Sequence, residues 1–141
     1  MVNLKIYTSY ISRESIEQIK NKNLLPIFIL RSIGKIDYIE PWTDTPLHFR
    51  ELSPSKELFW SFRDKEIDFE TFQKKFLIEL CELDFQDIIT RLDSLNKTCG
   101  SNGVVLCGIG KNPEFSHRIL VADILWRTGY LLQEPEELTL L

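Results

Sequence analysis

Three neighbouring side chains, Ser116, His117 and Arg118, could together handle charge and protons. A serine hydroxyl can cap a helix, a guanidinium is a planar fork that suits phosphate or carboxylate, and histidine exchanges a proton near neutral pH. The apolar run ILVADILW (119–126) follows at once and predicts a buried helix with these residues in its first turn. The free N–H groups of a helix start attract anions, so the sequence predicts an anion-binding site there.

Further polar residues and glycines come at the exits of three predicted strands. In an open parallel sheet, the loops after the carboxyl ends of the strands form the ligand crevice. We therefore expect the exit residues to gather beside the helix start and to contribute to ligand binding. They are Thr8, Ser9 and Tyr10 after the first strand, Arg31 and Ser32 after the second, and Cys107, Gly108 and Gly110 after the third.

The elements that must position these residues alternate between strands and helices. Apolar runs predict strands at 4–8, 26–30 and 104–107, and the run YLL (130–132) predicts a further edge strand. Helical spacing predicts helices that begin at Ser12, at Ser53 with Pro54 in the first turn, at Asp68, at Asp84 and at Ser116. Gly129 ends the last helix. Residues 31–52 are predicted to form an ordered loop, and residues 133–141 a polar, acidic and mobile tail.

Two unbroken apolar strands, at 26–30 and 104–107, indicate a sheet that is buried on both faces. The fold class is therefore α/β: a small three-layer Rossmann-like domain, with a short and mainly parallel sheet covered by helices. At 141 residues, a single domain spanning 1–141 is the expectation.

Composition limits the classes of partner. The net charge of -4 argues against a broad basic surface for nucleic acid, although a local basic pocket is compatible with it. Three cysteines without metal-type spacing do not indicate a disulfide framework. We read no signal peptide and no membrane span, so a cytoplasmic protein without a membrane partner is expected. Neither a cofactor nor an oligomeric state can be named.

Ordinary structural roles compete with the functional ones. Ser116 can be a plain helix cap, and His117 can be a histidine that bonds to the backbone. Arg118 can pair with an acidic neighbour such as Glu114, and Arg31 with Asp37 or Asp44. Cys107 is most often a small buried apolar residue. Only Cys107 and His117 can be named as metal ligands, which is too few for a zinc site, and His48 is given no role.

Several stretches resemble the bacterial and phage family called domain of unknown function 488. They are KIYTSY, FRELSPSKELFWSF, FETFQKKFLIEL and VVLCGIGKNPEFSHRILVADIL, in family order across 4–125. Members carry a cysteine at the end of the late strand and a Cys-His-Arg triplet opening the last helix. Here Cys107, His117 and Arg118 match, and Ser116 replaces the second cysteine. The resemblance implies action on nucleotides or nucleic-acid bases, although the family has no established activity.

Three functions stay open from the sequence. An enzyme on a nucleotide-like or phosphate-bearing substrate would use His117 as general acid or base, and Cys107 or Ser9 as nucleophile. A non-catalytic binder would sequester a small anionic ligand at the same place. A protein-interaction module would bind its partner through the aromatic residues around Trp42 in the loop 31–52 and through the acidic tail.

Overall fold

The computed structural model describes residues 1–31, 45–108 and 116–139. Its strands are β1 (Ile6–Tyr10), β2 (Leu25–Phe28), β3 (Val104–Gly108) and β4 (Glu136–Glu137). They form one parallel sheet in the order β2-β3-β1-β4. The prediction of a small α/β domain with a parallel sheet is confirmed.

The described helices follow the predicted order along the chain. They are α1 (Arg13–Asn21), α2 (Lys56–Arg63), α3 (Phe69–Leu80), α4 (Phe85–Cys99) and α5 (His117–Arg127), with a 3-10 turn at Arg50–Leu52 before α2. Helix α1 lies against one face of the sheet, where Ile16 and Ile19 pack on Phe28 and Cys107. The other face carries the larger core, which includes residues of α2, α3, α4 and α5. The domain therefore has three layers.

The alternation of side chains along the strands decides which residues face which layer. Thr8 pairs laterally with Leu106 and with Glu137, so these three point to the face that α5 covers. Ser9 pairs with Cys107, and these two point to the α1 face. Residues that follow one another in the sequence are thus separated by the sheet itself.

Most helix starts lie where the sequence predicts them, because a short polar side chain caps each one. Ser12, Asp68, Asp84 and Ser116 each accept a hydrogen bond from a backbone N–H in the first turn. The Thr71 hydrogen bonds lower the pKa of Asp68, as expected for a capping carboxylate. Gly129, with φ of 78°, lies just past the end of α5 as predicted.

The predicted start of α2 is wrong by two residues. Ser55, not Ser53, is the cap: its Oγ accepts from the Leu58 N–H at 3.3 Å. The Ser53 hydroxyl instead donates to the carbonyl of Arg50 at 2.5 Å, so it is committed to the preceding 3-10 turn. The Glu79 carboxylate on α3 fixes the true cap by accepting from the N–H and the hydroxyl of Ser55.

The fourth strand and the tail were also predicted wrongly. Residues 130–132 contribute only an isolated bridge, between Leu131 and Val2, and the fourth strand is Glu136–Glu137 inside the supposed mobile tail. Leu138 is buried on the α1 face, and its N–H donates to the Thr8 carbonyl at 2.8 Å. The burial of Leu138 and the pairing with the open edge of β1 hold this segment on the sheet, although its composition is acidic.

The first strand ends later than predicted, at Tyr10 instead of Thr8. Ser9 and Tyr10 therefore belong to the strand, because β3 continues opposite them to Gly108. The loop predicted at 31–52 lies outside the described residues from 32 to 44. Its last part is ordered: Leu47 and Phe49 exchange backbone hydrogen bonds with Phe28 at the free edge of β2.

Candidate functional site

The first turn of α5 lies at the carboxyl edge of the sheet, as the sequence predicts. The Ser116 hydroxyl is buried and accepts from the Arg118 N–H at 3.4 Å, which caps the helix. Val121 and Leu125, further along α5, are buried in the main core and anchor the helix to the sheet. The polar first turn is therefore held by the apolar body behind it.

Arg118 is the largest fully buried side chain of the described residues, with no exposed surface. Its Nη1 donates to the Ser116 Oγ at 2.8 Å. Its Nη2 donates to Oε1 of Glu137 at 2.9 Å, and its Nε donates to Oε2 of the same carboxylate at 3.4 Å. The guanidinium thus holds a carboxylate with two of its nitrogens, in the fork arrangement that suits planar anions.

Glu137 reaches this guanidinium because of the register of β4. Strand β4 runs parallel to β1 with Glu137 opposite Thr8, so both side chains face α5. The Thr8 hydroxyl donates to the Glu137 carboxylate, which gives that group a third hydrogen bond. The Glu137 side chain keeps 36% of its surface exposed, so solvent reaches the outer side of the ion pair.

His117 points to a different strand from Arg118. Its Nε2 lies 2.7 Å from the carbonyl oxygen of Ile29, just beyond the end of β2. Since a carbonyl only accepts, Nε2 carries the proton, and Nδ1 of the neutral ring holds a lone pair. Nδ1 accepts no hydrogen bond from any residue in the described part of the chain.

The surroundings of His117 keep its ring neutral. Removal from water, more than any other cause, lowers the pKa of His117 to about 4, and the nearby Arg118 charge acts in the same direction. The Phe76 ring meets the imidazole edge to face at 6.0 Å between centroids. A Cβ on Gly108 would come within 3.2 Å of His117 Cε1, so the glycine lets the ring approach the end of β3.

Cys107 and Ser9 lie on the α1 face of the sheet, not in the layer of α5. The Cys107 thiol lies 3.4 Å from the Val105 carbonyl, and burial raises its pKa to about 12, so it is protonated at neutral pH. The buried Ser9 hydroxyl donates to the Tyr10 carbonyl at 3.0 Å. Neither group is shown in contact with His117, and the sequence hypothesis of a nucleophile beside a base gains no support from this placement.

The remaining predicted ligand residues are spread along the same edge. Tyr10 ends β1, Gly108 ends β3, and the exposed Arg31 follows β2. Ser32 and Gly110 lie outside the described residues. Strands β2 and β4 are the two edges of the sheet, so Arg31 follows the strand farthest from the Arg118–Glu137 pair. The convergence of all the predicted ligand residues on one site therefore stays a prediction.

Two residues of the region were missed by the sequence reasoning. Glu137 was assigned to a mobile tail, and only the alternation of Glu137 with the apolar Leu138 could have indicated a strand there. His48 was given no role, yet its Nε2 lies 2.6 Å from the Leu30 carbonyl. His48 and His117 therefore bond to consecutive carbonyls, of Leu30 and Ile29, where the chain leaves β2.

A cavity of about 170 Å³ lies between α5 and the chain before and within β4. Its walls include Thr8, Trp126, Pro135 and Glu137. It therefore adjoins the outer side of the ion pair and combines an aromatic wall with polar groups.

The described ranges 1–31, 45–108 and 116–139 contain neither a metal-binding cluster nor a membrane-spanning helix. No three His, Cys, Asp or Glu side chains there are grouped so that they could hold a metal ion. No helix in those ranges is long and apolar enough to cross a membrane.

Comparison with known proteins yields one family. Residues 14–129 match the family model DUF488-N3a, described as the active DUF488-N3 subclade. This span includes the whole of α5 and the Ser-His-Arg triplet, and it ends before β4. No curated protein and no solved structure matches the chain.

Proposed function

We propose that this chain, which belongs to the DUF488-N3a subclade, binds a small phosphate-bearing, nucleotide-like ligand at the carboxyl edge of the sheet. Arg118 holds the anion, the Ser116 hydroxyl orients the guanidinium, and the first turn of α5 adds its partial positive charge. This position agrees with the general location of ligands in open parallel sheets.

One observation carries the proposal: a guanidinium without exposed surface, at the start of a helix, that already holds an anion with two nitrogens. A buried charge is costly unless it is paired, so proteins rarely bury an arginine completely. Glu137 is the anion that pairs with the guanidinium here, and a ligand that reaches the same place can supply an anion instead.

The first test compares nucleoside 5′-monophosphates with the corresponding nucleosides by titration calorimetry on the full chain. We expect the monophosphates to bind and the nucleosides to bind at least about tenfold more weakly, because a lost charge-assisted hydrogen bond costs about 1.5–3 kcal/mol. Arg118→Met should lower monophosphate affinity by at least the same factor. Arg127→Met is the matched control, since Arg127 ends the same helix and pairs with Asp123 at the surface. Equal affinities for Arg118→Met and the unchanged protein would refute the proposal.

A reaction on the bound ligand is the second candidate, and His117 is the residue that favours it. Its pKa of about 4 keeps the imidazole neutral at pH 7, with a lone pair on Nδ1 that can accept a proton, although a base with so low a pKa holds that proton weakly. The hydrogen bond from Nε2 to the Ile29 carbonyl fixes the ring in that tautomer. A glutamine or asparagine side chain in place of His117 could not accept a proton in this way.

The corresponding experiment incubates the protein with the same nucleotides and identifies the products by mass spectrometry. Under this second candidate, a nucleotide is converted by the unchanged protein, and His117→Asn binds it without converting it. Recovery of every bound nucleotide intact after long incubation would contradict catalysis and leave a protein that only sequesters its ligand.

A further inference from the structure

The carboxylate on Arg118 comes from a short strand at the open edge of the sheet. Strand β4 has two residues, and only Glu136 and Glu137 are registered against β1, whereas β3 pairs with β1 over five residues. Glu137 nevertheless supplies the anion for the most deeply buried charge of the described chain. A two-residue strand therefore supplies the carboxylate that pairs with Arg118.

Few contacts outside Glu137 hold this part of the chain, residues 134–139, which we call the tail segment. Leu138 is buried, and its N–H donates to the Thr8 carbonyl. Lys5 donates to the Glu134 carbonyl at 2.9 Å, and Lys22 donates to the Thr139 carbonyl at 3.0 Å, both at the surface. Segments with one buried apolar side chain and mostly exposed hydrogen bonds open at low free energy.

We infer that the tail segment is a displaceable internal stand-in for the ligand, and that the ligand's anionic group replaces the Glu137 carboxylate on Arg118. The inference rests on the proposed function and adds its regulation: the free protein blocks its own site. In the bound state Thr8 and Arg118 would donate to the incoming anion instead of to Glu137, so none of these donors stays unpaired.

The competition also narrows the class of ligand to a phosphate monoester. A tethered carboxylate acts at an effective concentration of the order of millimolar or more, so a free carboxylate, which offers the same two oxygens, gains nothing over it. A phosphate monoester carries nearly two negative charges at pH 7 and three acceptor oxygens. It can therefore serve Arg118 and Thr8 while keeping an oxygen for the N–H groups of α5.

The cavity beside the ion pair indicates where the rest of the ligand lies. The cavity has a volume of about 170 Å³. Helix α5, including Trp126, bounds it on one side, and residues 134–137 bound it on the other. This volume is small for a nucleotide, because ligand pockets usually measure about 300–1,000 Å³. Displacement of the tail segment removes one wall and opens the space against the Trp126 side.

The test measures affinity and tail opening on the full chain. The probes are the tightest nucleoside 5′-monophosphate of the panel and the nucleoside 5′-carboxylate with the same base. Glu137→Gln keeps the shape and an acceptor oxygen but removes the competing charge. Glu70→Gln is the control, because Glu70 is an exposed carboxylate on α3 that pairs with Lys74 and does not line the cavity. Hydrogen exchange of peptides that cover 134–139 reports opening in the unchanged protein and needs no substitution.

We expect Glu137→Gln to bind the monophosphate about tenfold more tightly or better, since the competent state is no longer masked, and Glu70→Gln to change affinity by less than about twofold. Ligand should speed exchange in the tail segment, and the carboxylate should bind much more weakly than the monophosphate. Binding that is detected only with Glu137→Gln would also support the inference.

Two results would overturn the inference, and they differ in what they say of the proposed function. If the unchanged protein binds through Arg118 but Glu137→Gln binds no better, or ligand slows exchange in the tail segment, the stand-in is wrong and the binding function remains. If neither the unchanged protein nor Glu137→Gln binds a monophosphate, both proposals are wrong.

Discussion

Removing either partner of the Arg118–Glu137 pair should have unequal effects on stability. The Arg118 side chain has 0% of its surface exposed, whereas that of Glu137 has 36% exposed. Glu137→Ala leaves a buried guanidinium that keeps its hydrogen bond to Ser116 but loses its carboxylate partner. Arg118→Met keeps the apolar stem and leaves a carboxylate that water can reach and that Thr8 still contacts.

The magnitudes follow from this difference in exposure. Loss of one partner of a buried ion pair costs about 3–5 kcal/mol, and the Ser116 contact places Glu137→Ala near the low end, about 3 kcal/mol. Arg118→Met should cost about 1–2 kcal/mol, the scale of a lost charge-assisted hydrogen bond. The double variant should be more stable than the sum of the single effects predicts, by about 1–3 kcal/mol.

The assay is urea denaturation at pH 7 followed by circular dichroism, with all four proteins of the cycle measured in the same buffer. Glu136→Ala is the control and should cost under about 1 kcal/mol, because its pair with Lys5 is exposed. An Arg118→Met variant that loses as much free energy of unfolding as Glu137→Ala, or a cycle with no coupling, would refute the reasoning from burial.

Three further predictions concern the neighbouring groups. The folded pKa of His117, about 4, lies below its unfolded value of 6.5, so its contribution to stability is complete above pH 6.5 and is lost as the pH falls toward 4. Denaturation of His117→Gln across that range should lack up to about 3 kcal/mol of this loss, and identical pH slopes would contradict the lowered pKa. In the native protein at pH 8, a thiol reagent should label Cys81 and Cys99 quickly and Cys107 only on unfolding, as counted by mass spectrometry. Gly108→Ala should lower the melting temperature by several degrees and raise the pKa of His117 measured by NMR, because the new methyl group pushes the ring outward; an unchanged titration would show that the ring does not depend on that approach.

The fold could be predicted from local signals because its elements carry strong ones. Buried apolar runs identify β2 and β3, and short polar caps identify the helix starts at Ser12, Asp68 and Ser116. The predicted start of α2 was wrong because the sequence offers two serines, Ser53 and Ser55, that are equally good helix caps. Only the tertiary contact with Glu79 decides between them.

The candidate site could be predicted only up to the strand edge on which it lies. The sequence places Ser116, His117 and Arg118 at the start of α5, and the structure has them there. The face of the sheet was missed, although Cys107 and Gly108 are consecutive and must point to opposite sides. The partner of Arg118 was also missed, because Glu137 is 19 residues away and reaches it only through the pairing of β4 with β1.

The same ion pair links stability to ligand binding, and this link gives the proposals a shared consequence. A buried guanidinium needs an anion, and either Glu137 or a phosphate can provide it. In Glu137→Ala the ligand should therefore restore most of the stability that the substitution removes, so saturating monophosphate should raise the melting temperature of this variant more than that of the unchanged protein. Equal shifts in both proteins would mean that the phosphate and Glu137 do not occupy the same position, because only competition for one guanidinium makes the gain depend on which anion was there before.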